Sequence, residues 1–339
     1  MKQTYSFDDV LLVPQHSDIE SRKEICIASN LGDMRFVLPV VSSPMDTISD
    51  TKMMLEMQNQ GGLAILHRYN TIKAQAEKVL YVSEVGRAKK IAAAIGMSGD
   101  YEERAKALVD AGATILCVDV AHGHHEMMRW CLDSLKQTYA EDIHIMAGNV
   151  ATLEAFEALS EWGADSIRVG IGGGSICSTR IVTGHGVPTL QSVMDCARTT
   201  YNTPIIADGG IKTTGDMVKA LAAGADFVMI GSMLAGTDET PGDVLIKNNG
   251  EKYKEYRGMA SKEAQRDWRG KSSTPEGVAT IVPYKGPVRY ILDDLDGGIR
   301  SGLSYTGSRN IRELQAKSHF ILQSSAAQAE SNTHILWRR

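Results

Sequence analysis

The amino-acid sequence predicts an α/β domain built as a (β/α)8 TIM barrel. Eight strand-like runs alternate with helix-length segments, and this alternation is typical of a parallel sheet. Eight is also the number of strands that closes such a barrel. Several helix-length segments end in Gly-Ala just before the next strand, as at Gly112-Ala113, Gly163-Ala164 and Gly224-Ala225, which is the stop signal that a helix-to-strand connection uses.

The strand-like runs are short and rich in β-branched and other apolar residues. They lie at Phe36–Val41, Gly62–Leu66, Ile91–Ile95, Thr114–Val120, Ile143–Met146, Ser166–Ile171, Pro204–Ala207 and Phe227–Ile230. The intervening helices are exemplified by Thr47–Gln60, Tyr101–Ala111, His125–Tyr139, Thr152–Trp162, Thr189–Thr199 and Thr214–Ala223. A doubly wound open sheet is the competing fold, but its dinucleotide fingerprint after the first strand is missing.

Composition excludes several classes of protein. The chain of 339 residues is 43% hydrophobic and 23% charged, which is ordinary for a globular protein. A net charge of −5 argues against a nucleic-acid partner. No apolar run reaches the roughly 18 residues of a membrane helix, and the N-terminus lacks a signal core. Five scattered cysteines without a CxxC pair indicate a reducing, cytoplasmic environment rather than disulfides or zinc.

A glycine-rich loop with a cysteine follows the sixth predicted strand. Its sequence runs from Gly170 to Arg180 and places Cys177 between Ser175 and Thr179. Glycines allow close backbone approach to a ligand, and free amides in such loops favour anions. A tight turn with a buried, inert cysteine is the alternative.

Other predicted strands also end in polar or glycine-rich sequences. In a barrel, the chemistry lies on the loops after the carboxyl ends of the strands. Asp208-Gly209-Gly210 and Gly231-Ser232 follow strands seven and eight, where barrels commonly bind phosphate. The remaining strand ends carry Ser42–Asp46, His67-Arg68, Asp119 and Gly148-Asn149.

The regular alternation stops after the eighth strand. Residues 236–310 are rich in Gly, Lys, Arg, Tyr and Pro, and the polar stretch 260–276 is predicted to be a mobile flap over the site. Residues 324–339 are expected to form a flexible tail.

At this point the sequence resembles the IMP dehydrogenase/GMP reductase family of (β/α)8 barrels along essentially its whole length. Many dehydrogenases of that family carry a CBS-type module between strands two and three, but only a short segment separates Leu66 from Ile91 here. The resemblance therefore implies one catalytic barrel over residues 1–339 without that module. It rests on Tyr5–Leu12, Ser42–Thr47, Met146–Val150, Gly172–Arg180, Ala207–Gly210, Gly231–Gly236, Tyr256–Met259 and Pro283–Gly286.

The resemblance implies roles for the matching positions. Cys177 would attack C2 of the purine base and form a thioimidate, with Thr179 and Glu276 as a relay for ammonia release. Asp119 and Asn149 would meet the nicotinamide cofactor. The backbone carbonyls of Gly172, Gly174 and Cys177 resemble a potassium site. The nucleotide would be bound by Ser43, Met45, Ser175, Asp208, Gly210, Gly231, Ser232, Tyr256, Gly258 and Met259.

Two reactions are open. The reductase converts GMP to IMP and ammonia with NADPH, whereas the dehydrogenase oxidises IMP to XMP with NAD. The resemblance implies that the dehydrogenase activates water with an Arg-Tyr pair on its flap, and residues 260–276 contain no such pair. Cys117–Ala121 looks like the reductase, while Ile181–Gly184 and Thr274–Gly277 look closer to bacterial dehydrogenases. We therefore favour the reductase and keep the dehydrogenase as the alternative.

Three further expectations complete the sequence analysis. The histidines at 122, 124 and 125 could suggest a metal, but their spacing is not that of a zinc site, so we interpret them as loop residues. A catalytically inactive nucleotide-binding regulator is disfavoured by the presence of Cys177, Thr179 and Glu276. The family resemblance implies a homotetramer.

Overall fold

Eight short parallel strands form a closed barrel in the computed structural model, which describes residue 1 and residues 3–86 and 89–331. The barrel strands are β1 (Val40–Ser42), β2 (Leu63–Leu66), β3 (Ala92–Ile95), β4 (Ile115–Asp119), β5 (His144–Val150), β6 (Ser166–Val169), β7 (Ile205–Asp208) and β8 (Phe227–Ile230). Each strand pairs with the next along the chain, and β8 pairs with β1 to complete the ring. The predicted fold class is therefore confirmed.

The barrel interior is filled by side chains and is not a pore. Alternate residues of the strands point inward, as expected for a period of two along a strand. The inward-facing core consists of Leu31, Phe36, Val41, Leu63, Ile65, Ala92, Ala94, Ile115, Cys117, Met146, Ile206, Phe227 and Met229.

A β-hairpin closes the amino-terminal end of the barrel. Strands Ser29–Leu31 and Met34–Phe36 pair antiparallel, and the ring of Phe36 meets Phe227 edge-on at 5.6 Å. The prediction of one strand over Phe36–Val41 is therefore wrong at its start. Pro39 has no N–H group to donate, and the barrel strand begins only at Val40.

Within the described residues, each barrel strand is followed by a helix that packs on the outside of the barrel. These helices are α1 (Thr51–Asn59), α2 (Ile72–Gly86), α3 (Tyr101–Asp110), α4 (Glu126–Tyr139), α5 (Leu153–Glu161), α6 (Thr189–Cys196), α7 (Thr214–Ala222) and α8 (Val288–Ser304). Side chains cap several of them. Thr213 and Asp216, for example, form a reciprocal capping box at the start of α7.

The last of these helices lies in the region where the sequence shows no regular alternation. Gly298 and Gly302 of α8 face α7 one turn apart, and a Cβ atom at these positions would come within 2.4 Å of Thr214 and 2.5 Å of Val218. The glycines therefore allow close packing of the two helices. They also lower helix propensity, which is why the sequence pattern hides α8.

The segment inserted between β8 and α8 has its own structure. Strands Leu245–Ile246, Lys252–Arg257 and Ala279–Pro283 form an antiparallel sheet. Helix Lys262–Arg269 lies within the predicted flap, and Ser261 caps it by accepting the amide of Ala264. The mobility of the flap stays a prediction.

The C-terminal region extends from α8 through helix Ile311–Lys317 to strand Phe320–Leu322, which pairs antiparallel with Val10–Leu12. The predicted tail starts with the short helix Ser325–Glu330, and its residues 332–339 lie outside the described residues. Among the described helices, none has both the length and the apolar character that a membrane crossing requires.

Candidate active site

The carboxyl-terminal ends of the barrel strands surround a cleft of about 460 Å³. All of the catalytic, substrate, cofactor and potassium residues predicted from the sequence line it. The residues come from the carboxyl ends of β4, β5 and β7, from the loops after β1, β6, β7 and β8, and from the inserted segment. The fold thus brings the predicted set together, while the role of each residue stays a prediction at this point.

Cys177 lies in the cleft on the loop after β6. Its thiol donates a hydrogen bond to the Thr179 hydroxyl at 3.1 Å. The loop begins at Gly170, where a Cβ atom would come within 1.9 Å of the Asp208 carbonyl oxygen, so a side chain there would clash with β7. Close backbone packing of the loop against β7 therefore requires glycine at this position.

Cys177 differs from the buried cysteines of the chain. Burial raises the pKa of the Cys117, Cys131 and Cys196 thiols to about 12. Such thiols stay protonated and are poor nucleophiles. Cys177 is half-buried and faces the cleft, which is the exposure that a nucleophile needs.

Backbone hydrogen bonds fix Glu276 next to this loop. The Ser178 amide donates to the Glu276 carbonyl at 2.9 Å, and the Glu276 amide donates to the Ala260 carbonyl at 3.1 Å. The Val278 amide also donates to the Ile176 carbonyl at 3.0 Å. The flap base and the cysteine loop are therefore joined on both sides of Glu276, which brings the predicted catalytic residues together.

A small-residue pocket forms where β8 ends. A Cβ atom at Gly231 would lie 3.3–3.4 Å from Met45 Sδ, Ser43 Oγ and the Tyr256 hydroxyl, so a side chain would occupy this space. The Ser175 and Tyr256 hydroxyls lie 3.3 Å apart. Burial raises the pKa of Tyr256, which keeps its phenol protonated as a donor. This arrangement of hydroxyls and glycine suits a phosphate group.

A buried ionic network connects two of the predicted binding residues. Arg168 on β6 pairs with Asp119 at 2.5 Å and with Asp208 at 2.8 Å, and its side chain is only 7% exposed. Burial disfavours the charged guanidinium, but the two carboxylates outweigh it and hold the pKa of Arg168 well above its ordinary value. The Asn149 side-chain amide also donates to Asp208 at 2.8 Å.

Arg168 does not stand out as a site residue in the sequence, because Ser166–Ile171 has the pattern of an ordinary strand. A charged residue in an otherwise apolar barrel strand was the available signal, since a buried charge needs partners.

A polar atom without a hydrogen-bond partner lies in the cleft, next to the ionic network of Arg168. The side-chain oxygen of Asn149 is buried and has no hydrogen-bond partner among the described residues. A buried acceptor in this state costs free energy until it is paired. The carboxamide of a nicotinamide carries the N–H groups that could pair it, so Asn149 and Asp119 fit the predicted cofactor.

A second arginine connects the flap to the base-binding loop. Arg257 pairs with Asp46 at 2.7 Å and with Asp267 of the flap helix at 2.5 Å. Trp268, the next residue of that helix, stacks on Tyr69 with ring centroids 5.6 Å apart. The Tyr69 hydroxyl donates to the Met259 carbonyl at 2.9 Å. These contacts, which sequence reasoning missed, hold the flap helix over the cleft.

The histidines have structural surroundings. His125 caps α4 by accepting the amide of Met127 at 3.0 Å, and the ring of His124 lies 6.0 Å from that of Trp162. Within residues 3–86 and 89–331, no group of three potential ligands forms a metal site of His, Cys, Asp or Glu. His67 is buried, with its Nε2 3.8 Å from Asp50.

Comparison with known proteins identifies this arrangement. The model of the IMP dehydrogenase / GMP reductase domain matches residues 4–334. The chain belongs to the IMP dehydrogenase/GMP reductase family. This is a family of purine nucleotide oxidoreductases, and the resemblance found in the sequence is confirmed.

Relatives within the family carry both names. The chain is 34% identical to an inosine-5'-monophosphate dehydrogenase from Nitrosopumilus maritimus, covering 98% of each chain. It is also 34% identical to a GMP reductase from Leishmania major, covering 97% of this chain and 96% of the relative. A solved structure of GMP reductase from Trypanosoma brucei in complex with guanosine 5'-monophosphate superimposes with a TM-score of 0.91 at 31% identity, covering 98% of both chains.

Proposed function

We propose that the protein is a GMP reductase, which converts GMP to IMP and ammonia at the expense of NADPH. The observation that carries the proposal is the pairing of Asp267 with Arg257 at 2.5 Å. Asp267 is a flap carboxylate that could activate water for the dehydrogenase reaction. In this pair the carboxylate oxygen is engaged by the Arg257 guanidinium rather than free to contact a water molecule, and the flap has no Arg-Tyr pair to replace it.

The first half of the reaction rests on three side chains. The thiolate of Cys177 forms a bond to C2 of the guanine ring, and the bond from C2 to the exocyclic nitrogen breaks. The thiol proton leaves with the amine as ammonia, so GMP and a thiol give a thioimidate without any change of oxidation state. Thr179, whose hydroxyl lies 3.1 Å from the sulfur, and Glu276, which lines the same cleft, would relay that proton.

The second half returns the thiol. When bound, NADPH supplies a hydride to C2. Cys177 then departs as a thiolate and takes up a proton, which leaves IMP. Asp208 would accept the ribose hydroxyls, because a carboxylate accepts two hydrogen bonds and the ion pair with Arg168 holds it in the cleft. Ser43, Ser175, Gly210, Gly231, Ser232 and Tyr256 would hold the phosphate and its surroundings, and Met45, Gly258 and Met259 would frame the base.

The remaining assignments are part of the same proposal. Asp119 and Asn149 would hold the nicotinamide end of the cofactor. A potassium ion would bind the carbonyls of Gly172, Gly174 and Cys177 and order the loop. The carbonyl of Gly174 already accepts the Cys177 amide at 3.1 Å. We also expect a cytoplasmic homotetramer.

IMP dehydrogenase is the second candidate, because a relative of that name is as similar as the reductases. The two activities are separated by following nicotinamide absorbance with GMP plus NADPH and, separately, with IMP plus NAD. We expect cofactor oxidation in the first mixture and IMP as the nucleotide product. XMP formation in the second mixture, with GMP unconsumed in the first, would assign the protein as a dehydrogenase.

A further inference from the structure

Arg68 is a cation in the cleft without a counter-charge. It follows β2 directly and lines the cleft near Tyr69, with its guanidinium carbon 5.6 Å from the centre of that ring. Its Nε atom is buried and has no hydrogen-bond partner, and no carboxylate pairs with it, among the described residues. Desolvating part of a charged group without a partner is costly, so this arrangement suits a site that receives an anion.

Arg269 of the flap helix brings a second positive charge to the same cleft. It is the last residue of the flap helix, and it lines the cleft while its side chain stays exposed. Neither a hydrogen bond nor an ion pair engages its guanidinium within the described part of the chain. By contrast, Arg168 pairs with two carboxylates and Arg257 with three.

The surroundings indicate what kind of anion would lie between these two arginines. The same cleft is also lined by Asp119, Val120 and Ala121 at the end of β4, where the nicotinamide end of a dinucleotide is proposed to bind. Moving outward from the nicotinamide riboside, the next group of a dinucleotide is its diphosphate, which carries two negative charges. Arginine suits phosphate because its planar fork donates two parallel hydrogen bonds.

We propose that Arg68 and Arg269 together bind the diphosphate of the nicotinamide dinucleotide. The inference rests on the proposed function only in requiring a dinucleotide, and it holds for either reaction of the family. Trp268 adds a link to the flap. Its stacking on Tyr69, with ring centroids 5.6 Å apart, holds the last turn of the flap helix, which ends at Arg269, against the residue that follows Arg68. Cofactor binding would thereby stabilise the closed position of the flap.

Direct binding measurements test the proposal independently of turnover. Enzyme saturated with IMP is titrated with NADPH, with NADH and with reduced nicotinamide mononucleotide, because IMP and a reduced cofactor do not react in either direction of the family chemistry. Arg266→Gln is the matched control for Arg269→Gln. It removes the same charge from the same helix at a position that does not line the cleft.

We expect Arg68→Gln and Arg269→Gln each to raise the Kd of both NADPH and NADH by about 10- to 100-fold, the range for a hydrogen bond to a charged group. Arg266→Gln should change the Kd less than about twofold, and Arg68→Lys should restore part of the loss. Reduced nicotinamide mononucleotide, which has no diphosphate, should bind all variants alike.

Equal effects of Arg266→Gln and Arg269→Gln would overturn the proposal, because they would indicate a general effect of charge. A loss confined to NADPH would also overturn it, by moving the contact to the 2'-phosphate. Failure of the proposed function is seen separately, as the absence of GMP turnover in the wild-type protein. Unchanged thermal melting of each variant shows that the loss is not due to unfolding.

Discussion

The two ends of the barrel both place carboxylates at strand ends, but they use them differently. At the amino-terminal end, Asp165 accepts the amide of Ile145 at 2.6 Å, and Asp226 accepts that of Ile205 at 2.9 Å. These two carboxylates pair backbone N–H groups near the start of the strands. At the carboxyl-terminal end, Asp119 and Asp208 meet only side chains and face the cleft.

The volume of a depression does not indicate which end of the barrel carries the candidate active site. A depression of about 1310 Å³ lies at the amino-terminal end, around the hairpin and the first residues of the strands. The cleft at the other end measures about 460 Å³. The smaller one contains the cysteine loop, the paired carboxylates and two buried polar atoms without partners among the described residues, Arg68 Nε and Asn149 Oδ1. The comparison teaches that polar groups left available to a ligand locate the site better than volume does.

The largest expected effect is at the nucleophile. Cys177→Ala should abolish turnover, because no other side chain can form the thioimidate. Binding of GMP should survive, since Asp208 and the phosphate pocket are unchanged, and the melting temperature should stay close to that of the wild type. The measurements are steady-state turnover and calorimetric binding. A variant that keeps more than a few per cent of the rate would rule out covalent catalysis at this residue.

The second effect concerns the proton relay at the same end. Glu276→Gln should lower GMP turnover by about 100-fold or more, the usual scale of general acid–base catalysis. The backbone bonds that fix residue 276 do not involve its side chain, so folding and GMP affinity should be retained. Release of ammonia, followed with a coupled assay, is the direct readout. An unchanged rate of ammonia release would remove Glu276 from the mechanism.

The third effect contrasts a buried arginine with an exposed one. Arg168→Gln removes a buried cation and leaves the half-buried carboxylates of Asp119 and Asp208 without their counter-charge, so it should lower the free energy of unfolding by about 3–5 kcal/mol. Arg312→Gln at the opposite end removes the partner of Asp226, but Arg312 is 74% exposed, so the loss should stay within about 1 kcal/mol. Denaturant unfolding measures both. Equal losses would mean that the two ends do not differ in this respect.

The fourth effect is a pH dependence at the amino-terminal end, which changes stability without changing turnover at neutral pH. Burial lowers the pKa of His144 from 6.5 to about 4, and its ring contacts the Ser166 hydroxyl at 2.8 Å. The unfolded chain takes up a proton near pH 6.5, whereas the native ring does so only near pH 4. Stability therefore falls by about 3 kcal/mol as the pH drops from 6.5 to 4.

His144→Gln should remove this component while keeping an amide N–H toward Ser166. The readout is the difference in unfolding free energy between wild type and variant at pH 7 and at pH 4, with turnover at pH 7 unchanged. Parallel pH profiles for the two proteins would contradict the assignment.

The sequence predicted the parts of this molecule that depend on local pattern. The alternation of strands and helices predicted the barrel, and the carboxyl ends of the strands predicted which residues share the cleft, because parallel strands deliver those ends to one side. What the sequence did not reveal depends on tertiary contacts. Arg168 is recognisable as a site residue only from its ion pairs with Asp119 and Asp208, which lie on other strands.

The same reasoning applies to the flap and to α8. Arg257, Asp46 and Asp267 come from distant parts of the chain, and nothing in their spacing predicts that they pair. Gly298 and Gly302 read as helix-breaking residues until α7 is seen to lie against them. Local propensity was overridden by packing in these places.

The central claim is that Cys177 displaces ammonia from GMP, and the measurement that tests it most directly uses no cofactor. Enzyme is mixed with GMP alone, and ammonia and the mass of the Cys177 peptide are determined after rapid quenching. We expect up to one equivalent of ammonia per subunit and a peptide that gains the mass of GMP less ammonia, with neither signal in Cys177→Ala. A wild-type peptide that stays unmodified with GMP, but gains an adduct with IMP and NAD, would contradict the claim and identify a dehydrogenase.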